Sequence, residues 1–142
     1  MPDYIPSPTE WVRKQVELIE ASGGREGMTL RGMPVVLVTN TGAKTGAIRK
    51  TPLMRVKVDE TYVLVASKGG APEHPVWYYN LVAHPDVLVR DGEVERPMRV
   101  RLVTDPAERA TFWAAAVAAY PPYAEYQEKT DRQIPMFAAE PV

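Results

Sequence analysis

Apolar and polar positions follow two different periods along this chain. At residues 10–22 the apolar side chains recur at helical spacing, with Trp11, Val12, Val16 and Ile19 on one side. Arg13, Lys14, Glu17 and Glu20 lie largely on the other. Ser7-Pro8-Thr9-Glu10 reads as a capping box, with Ser7 at the N-cap, proline behind it and a glutamate two residues further on. Ser22-Gly23-Gly24 ends the helix. The stripe is expected to pack on a core. A membrane surface or an apolar substrate could also take such a face.

From residue 34 the period becomes that of strands. Pro34-Val35-Val36-Leu37-Val38-Thr39 is a continuous apolar run rich in β-branched residues. Residues 53–58 alternate, with Met54, Val56 and Val58 facing one way, and Asp59-Glu60 turns that strand into a second one over 62–67. Residues 87–90 and 94–103 flank Asp91-Gly92, a pair suited to the type I′ turn of a hairpin. A short helix is expected over 75–83, with Pro75 at its first position. Asp105-Pro106-Ala107-Glu108 opens an alanine-rich helix running to Tyr120, where Pro121-Pro122 breaks it before one or two further turns. Residues 134–139 read as a last strand, and Pro135 argues for an edge position. Strands in hairpins with few crossover helices predict an α+β fold, an antiparallel barrel with flanking helices.

The 142 residues are the length of one ordinary domain. The expected division is an N-terminal amphipathic helical segment over 1–30 and a barrel domain over 31–142. There are no cysteines, which excludes disulfides and thiol nucleophiles. His74 and His84 each precede a proline and have no partner at metal-ligand spacing, so no metal is expected. A net charge of −1 gives no field to recruit nucleic acid. Neither a signal peptide nor a membrane-length apolar run is seen, so a cytoplasmic location is expected, with peripheral contact at the inner membrane face through the first helix as an option.

Against that neutral background, residues 39–58 carry Lys44, Arg49, Lys50, Arg55 and Lys57 and no acidic residue. Gly42 and Gly46 let backbone N–H groups converge, and Thr41, Thr45 and Thr51 add hydroxyls. Such parts suit a phosphate or another polyanion. The spacing is not that of a Walker A loop, and a solvated hairpin with scattered basic residues is the plain alternative. Ser67-Lys68-Gly69-Gly70 forms a second candidate anion nest. Tyr120, Tyr123 and Tyr126 recur every three residues, as core packing or as an aromatic wall for a flat ring; the polar residues around them favour exposure. No nucleophile–base pair is visible, so a cofactor is expected to carry any chemistry.

Taken in order, these blocks resemble the deazaflavin (coenzyme F420)-dependent nitroreductase family, split β-barrel reductases of actinobacteria. The resemblance rests on Thr41-Gly42-Ala43-Lys44-Thr45-Gly46 with Arg49 and Thr51-Pro52-Leu53, then on Ala66-Ser67-Lys68-Gly69-Gly70. It continues through Pro75-Val76-Trp77-Tyr78-Tyr79-Asn80-Leu81, Ala83-His84-Pro85, the tyrosine block and Thr130-Asp131-Arg132-Gln133-Ile134-Pro135. It implies a split antiparallel β-barrel (an FMN-binding split-barrel-like fold) that binds the deazaflavin through residues 31–142. Ala43, Lys44, Thr45, Arg49 and Lys50 would bind the cofactor, with Lys44, Arg49 and Lys50 on its phosphate and oligoglutamate tail. Ala43 stands where relatives often carry arginine. Thr51, Pro52, Leu53 and Met54, with Val65, Ala66, Ser67 and Lys68, would border the deazaflavin and ribityl chain. Pro75, Val76, Trp77, Tyr78, Tyr79 and Asn80 would complete that wall. The resemblance assigns Ser67, Tyr120, Tyr123 and Tyr126 to the acceptor side, with Ser67 and Tyr123 as catalytic candidates and Tyr123 also touching the cofactor. The implied reaction is hydride transfer from reduced F420 to a quinone-like or nitroaromatic acceptor. A non-catalytic cofactor-binding or membrane-interface protein of the same fold, and a flavin mononucleotide oxidoreductase, are the alternatives. Oligomeric state stays open.

Overall fold

Strand-forming runs on both sides of the basic loop curl into one antiparallel sheet. The computed structural model describes residues 3–142 of the protein. Among them are eight strands: β1 (Thr29–Leu30), β2 (Met33–Thr41), β3 (Ile48–Met54), β4 (Lys57–Val58), β5 (Thr61–Val65), β6 (Asp86–Asp91), β7 (Val94–Leu102) and β8 (Met136–Pro141). Four α-helices accompany them: α1 (Glu10–Ser22), α2 (Val76–Ala83), α3 (Pro106–Ala119) and α4 (Pro122–Glu128). The sheet runs β1-β2-β6-β7-β8-β5-β4, with β3 also paired to β2, and forms a split antiparallel barrel.

The period of two sorts the side chains of each strand onto opposite faces. On β5, Tyr62 and Leu64 join Val36, Val38, Val89 and Phe137 in one buried cluster, capped by Trp77 and Tyr78 of α2. Val63 and Val65 belong to a second cluster on the other face, with Phe112 of α3 and Tyr123 of α4. Met54, Val56 and Val58 share that second face, as their alternation predicts. α1 contributes a third cluster, Val16 and Ile19 against Leu37 of β2. Burying two such side chains stabilises by about 1.5–3 kcal/mol each.

Five local expectations are corrected. The N-cap of α1 is Thr9, and the Ser7 hydroxyl accepts instead from the Thr9 N–H at 3.2 Å. Trp11 leaves the inward stripe of Val12, Val16 and Ile19 and stays 55% exposed. The hairpin turn lies one residue later than expected: Asp91 pairs with Val94, so Gly92-Glu93 forms the loop. Only Gly92 there has positive φ (63°), the requirement of a II′ turn rather than I′. Finally, β8 is interior, between β7 and β5, because Pro135 precedes the strand and removes no ladder N–H. Asp105, by contrast, caps α3 as expected, its carboxylate accepting from Glu108 N. Pro75 serves as N-cap of α2, one position earlier than expected.

Candidate active site

The basic stretch folds as a closed loop between β2 and β3. Gly42 N–H donates to the Ala47 carbonyl (2.7 Å), Gly46 N–H to the Gly42 carbonyl (2.9 Å), and Ala47 N–H to the Thr45 hydroxyl (3.1 Å). Ala43 N–H donates to Oδ1 of Asn80 on α2 at 2.9 Å. Four N–H groups and one threonine hydroxyl are therefore engaged inside the protein and are not free to face a ligand.

The five cations separate. Lys50 forms an ion pair with Glu20 of α1 and lies 5.0 Å from the Tyr4 ring centroid. Arg55 Nε donates to both carboxylate oxygens of Asp91, at 3.0 and 2.9 Å. Lys57 sits over Tyr62, away from the loop. Among the described residues Lys44 and Arg49 have no carboxylate partner. These two line a cleft of about 550 Å³ with Ala43 and Thr45 on the loop side and Val76, Tyr79 and Asn80 of α2 opposite. Tyr79 is 51% exposed and Val76 74%, so the cleft offers an apolar wall beside two free cations.

Behind the exposed face of α2, Trp77 and Tyr78 turn inward, their ring centroids 6.1 and 5.6 Å from that of Phe137. Leu53 packs with them, whereas Met54 faces the second cluster and Pro52 pairs with Leu37 in the β2–β3 ladder. The Thr51 hydroxyl accepts from Asn40 Nδ2 at 3.4 Å. Asn40, a lone amide in an apolar strand, is the residue sequence reasoning passed over, and that contrast was its signal.

Ser67 is buried and precedes a single 3-10 turn, Lys68–Gly70. Val65 and Ala66 before it are also buried. Lys68 pairs with Glu73 at 3.2 Å, with both side chains exposed. Arg132 fixes this corner by donating to the carbonyls of Ser67 (2.7 Å), Ala71 (2.9 Å) and Ala66 (3.2 Å) and to Nδ1 of His74 (3.1 Å). Burial, and then the Arg132 charge, hold the His74 pKa below its ordinary 6.5. The three tyrosines lie on the second-cluster face rather than in the cleft. Tyr120 and Tyr123 are buried at 6% and 5% exposure, contrary to the exposure their polar neighbours suggested. The hydroxyls of Tyr120 and Tyr126 stand 3.3 Å apart, and Arg31 donates to Tyr120 at 3.1 Å. Burial pushes the Tyr123 phenol well above its ordinary range; the bond to Tyr120 and then burial raise Tyr126.

The model of the family described as F420H(2)-dependent quinone reductase matches residues 11–141. The chain belongs to that family. An F420H(2)-dependent quinone reductase of Mycobacterium tuberculosis is 35% identical over 126 residues, covering 84% of this chain and 82% of that one. A solved F420-H2-dependent reductase, FDR-A, is 54% identical, with TM-score 0.71 over 75% of this chain and 94% of its own. Another solved relative, described as a domain-swapped dimer, is 51% identical, with TM-score 0.74 over 94% and 100%. The F420H(2)-dependent quinone reductase family is one of oxidoreductases that use reduced coenzyme F420, the group to which the sequence blocks pointed. The cleft fits such a cofactor: its two cations without carboxylate partners suit a polyanionic tail, and the exposed Tyr79 and Val76 suit an apolar ring system.

Proposed function

We propose that this member of the F420H(2)-dependent quinone reductase family transfers a hydride from reduced F420 to a quinone acceptor. The observation that carries this is the juxtaposition, in one cleft, of uncommitted Lys44 and Arg49 with the exposed apolar wall of α2. When bound, the reduced deazaflavin supplies the hydride. Lys44 and Arg49 hold its tail, while the exposed Val76 and Tyr79 of α2 border its ring system, with Leu53 and Trp77 backing that wall from the first cluster. Lys50, engaged by Glu20, contributes only if that pair opens. The acceptor lies toward Ser67, Tyr120, Tyr123 and Tyr126. A reduced quinone oxygen needs a proton, and the Tyr123 and Tyr126 hydroxyls, protonated at neutral pH, are its candidate donors, although their raised pKa makes them weaker acids than an ordinary phenol. Titrating the protein with F420 and following its fluorescence tests the reading. No binding at micromolar protein would overturn it. Consumption of reduced F420 with menaquinone, compared with a nitroaromatic compound, identifies the acceptor class.

A second feature concerns where a lipid-soluble quinone is met. Trp11 and Leu18 lie one above the other on the outer side of α1, 55% and 45% exposed, and no described helix is long and apolar enough to cross a membrane. We read this patch as a peripheral contact with lipid. Equal sedimentation of wild type and Trp11→Ser/Leu18→Ser with vesicles would remove it.

A further inference from the structure

Behind the cleft lie two hydrogen-bonded, buried amides. Asn40, on β2, is 2% exposed, and Asn80, on α2, is 5% exposed. Asn80 Nδ2 donates to Asn40 Oδ1 at 2.9 Å, and Asn40 Nδ2 donates to the Val38 carbonyl at 3.2 Å and the Thr51 hydroxyl at 3.4 Å. The free end of this chain of bonds is Asn80 Oδ1, which accepts from Ala43 N–H at 2.9 Å. Ala43 is the residue before Lys44. One relay of amides therefore joins β3, β2, α2 and the tip of the basic loop.

Burying two primary amides costs free energy unless each polar atom is satisfied, and an apolar pair would fill the same space more cheaply. The arrangement also carries direction. Asn40 is fixed by β2 and β3, so Asn80 must present its nitrogen to Asn40 and its oxygen to the loop. We infer that Asn40 and Asn80 are positioning residues: they clamp Ala43 to α2, so that the next residue, Lys44, is held at the cleft that Arg49 of β3 also lines before a polyanionic chain arrives. This deepens the proposed function, because the ligand is the F420 tail. It also accounts for Ala43, whose contribution is its backbone N–H, a group any side chain at 43 would leave in place. Preorganisation of this kind saves the cost of ordering the loop when the ligand arrives.

The test combines hydrogen exchange of the cofactor-free protein with F420 titration, using wild type, Asn80→Ala, Asn40→Ala and Leu81→Ala. Leu81 is a buried apolar neighbour on the same helix with no bond to the loop. Asn80→Ala should accelerate exchange of the Ala43 amide at least tenfold while the β2–β3 ladder keeps its protection. Asn40→Ala should do so to a smaller degree. Both should weaken F420 binding by about tenfold, the equivalent of ~1.4 kcal/mol, with its dependence on salt kept because Lys44 and Arg49 remain. Leu81→Ala should lower the melting temperature without singling out Ala43. Unchanged exchange at Ala43 in Asn80→Ala, or the same local effect from Leu81→Ala, would overturn the clamp. If the wild type fails to bind F420, the functional reading falls, and the exchange data still decide whether the clamp exists.

Discussion

Lys44 and Arg49 are the cations of their stretch that line the cleft with no carboxylate partner among the described residues, and this makes them separable by experiment. Replacing both with alanine should weaken F420 binding about tenfold, at roughly 0.5–1 kcal/mol per exposed charge contact. The loss should be largest at low salt, since screening already weakens such contacts in the wild type. Unchanged low-salt affinity would take the tail away from this loop. Arg55→Ala should instead act on stability, through the Asp91 carboxylate left behind. Tyr123 is a different kind of residue. It is 5% exposed within the second cluster, so Tyr123→Ala should destabilise the fold by about 3–5 kcal/mol, measurable by denaturant unfolding. Tyr123→Phe keeps the packing and isolates the hydroxyl. A lowered turnover with unaltered cofactor affinity is expected from it, and unaltered turnover would remove the phenol from catalysis. The sequence alone did not show this burial: of the polar residues that argued for exposure, Glu125 and Glu128 lie around the helix from Tyr123, and Gln127, on its side, is bonded to the backbone of Arg132 and Ile134.

At the scale of elements, the meeting of the 3-10 turn and α4 is the tightest joint near Ser67. A Cβ on Gly70 would stand 2.6 Å from the Tyr126 carbonyl oxygen and 3.0 Å from Lys129 Cβ, and its φ is +84°. Gly70→Ala should therefore push α4 from the turn and destabilise by at least about 1–3 kcal/mol. Loss of the tyrosine cluster's near-ultraviolet dichroism would report the displacement, and an unchanged spectrum would contradict it. Elements whose cues lie within their own few residues were legible in the sequence: Asp105 caps α3 with its own side chain, and the alternation of Met54, Val56 and Val58 does place them on one face. Those decided by distant partners were not. Nothing local shows that Thr9 rather than Ser7 caps α1. The interior place of β8 comes from pairing with β5 and β7, although its unbroken buried run from Met136 to Ala139 is the mark of a central strand. Likewise the charge excess of residues 39–58 was visible, but its pairing with Glu20 and Asp91 was not.

The whole barrel is also held at a point away from the cleft. Tyr62 OH donates to Asp91 at 2.5 Å, and Arg55 braces the same carboxylate, tying β5 to the end of β6. Burial first, and the Asp91 bond second, push the Tyr62 phenol up to about 12. The folded state thus favours the protonated phenol. Its contribution to stability is complete below the ordinary value of 10.0 and is lost as pH rises from there through about 12. Unfolding free energies measured across that window should fall with pH in the wild type and fall less steeply in Tyr62→Phe. Equal slopes would show that Tyr62 does not titrate differently in the two states. The single substitution should cost about 1 kcal/mol at neutral pH.

The central position of β8 sets an order on biosynthesis. β5 and β7 are made long before the segment that bridges them, so each has an open hydrogen-bonding edge while α3 and α4 are being translated. Until β8 arrives, the nascent sheet exposes two sticky rims that a neighbouring ribosome's product could pair with. Slowing translation just upstream of residue 136 should therefore increase aggregation of this protein more than the same pause placed within α1.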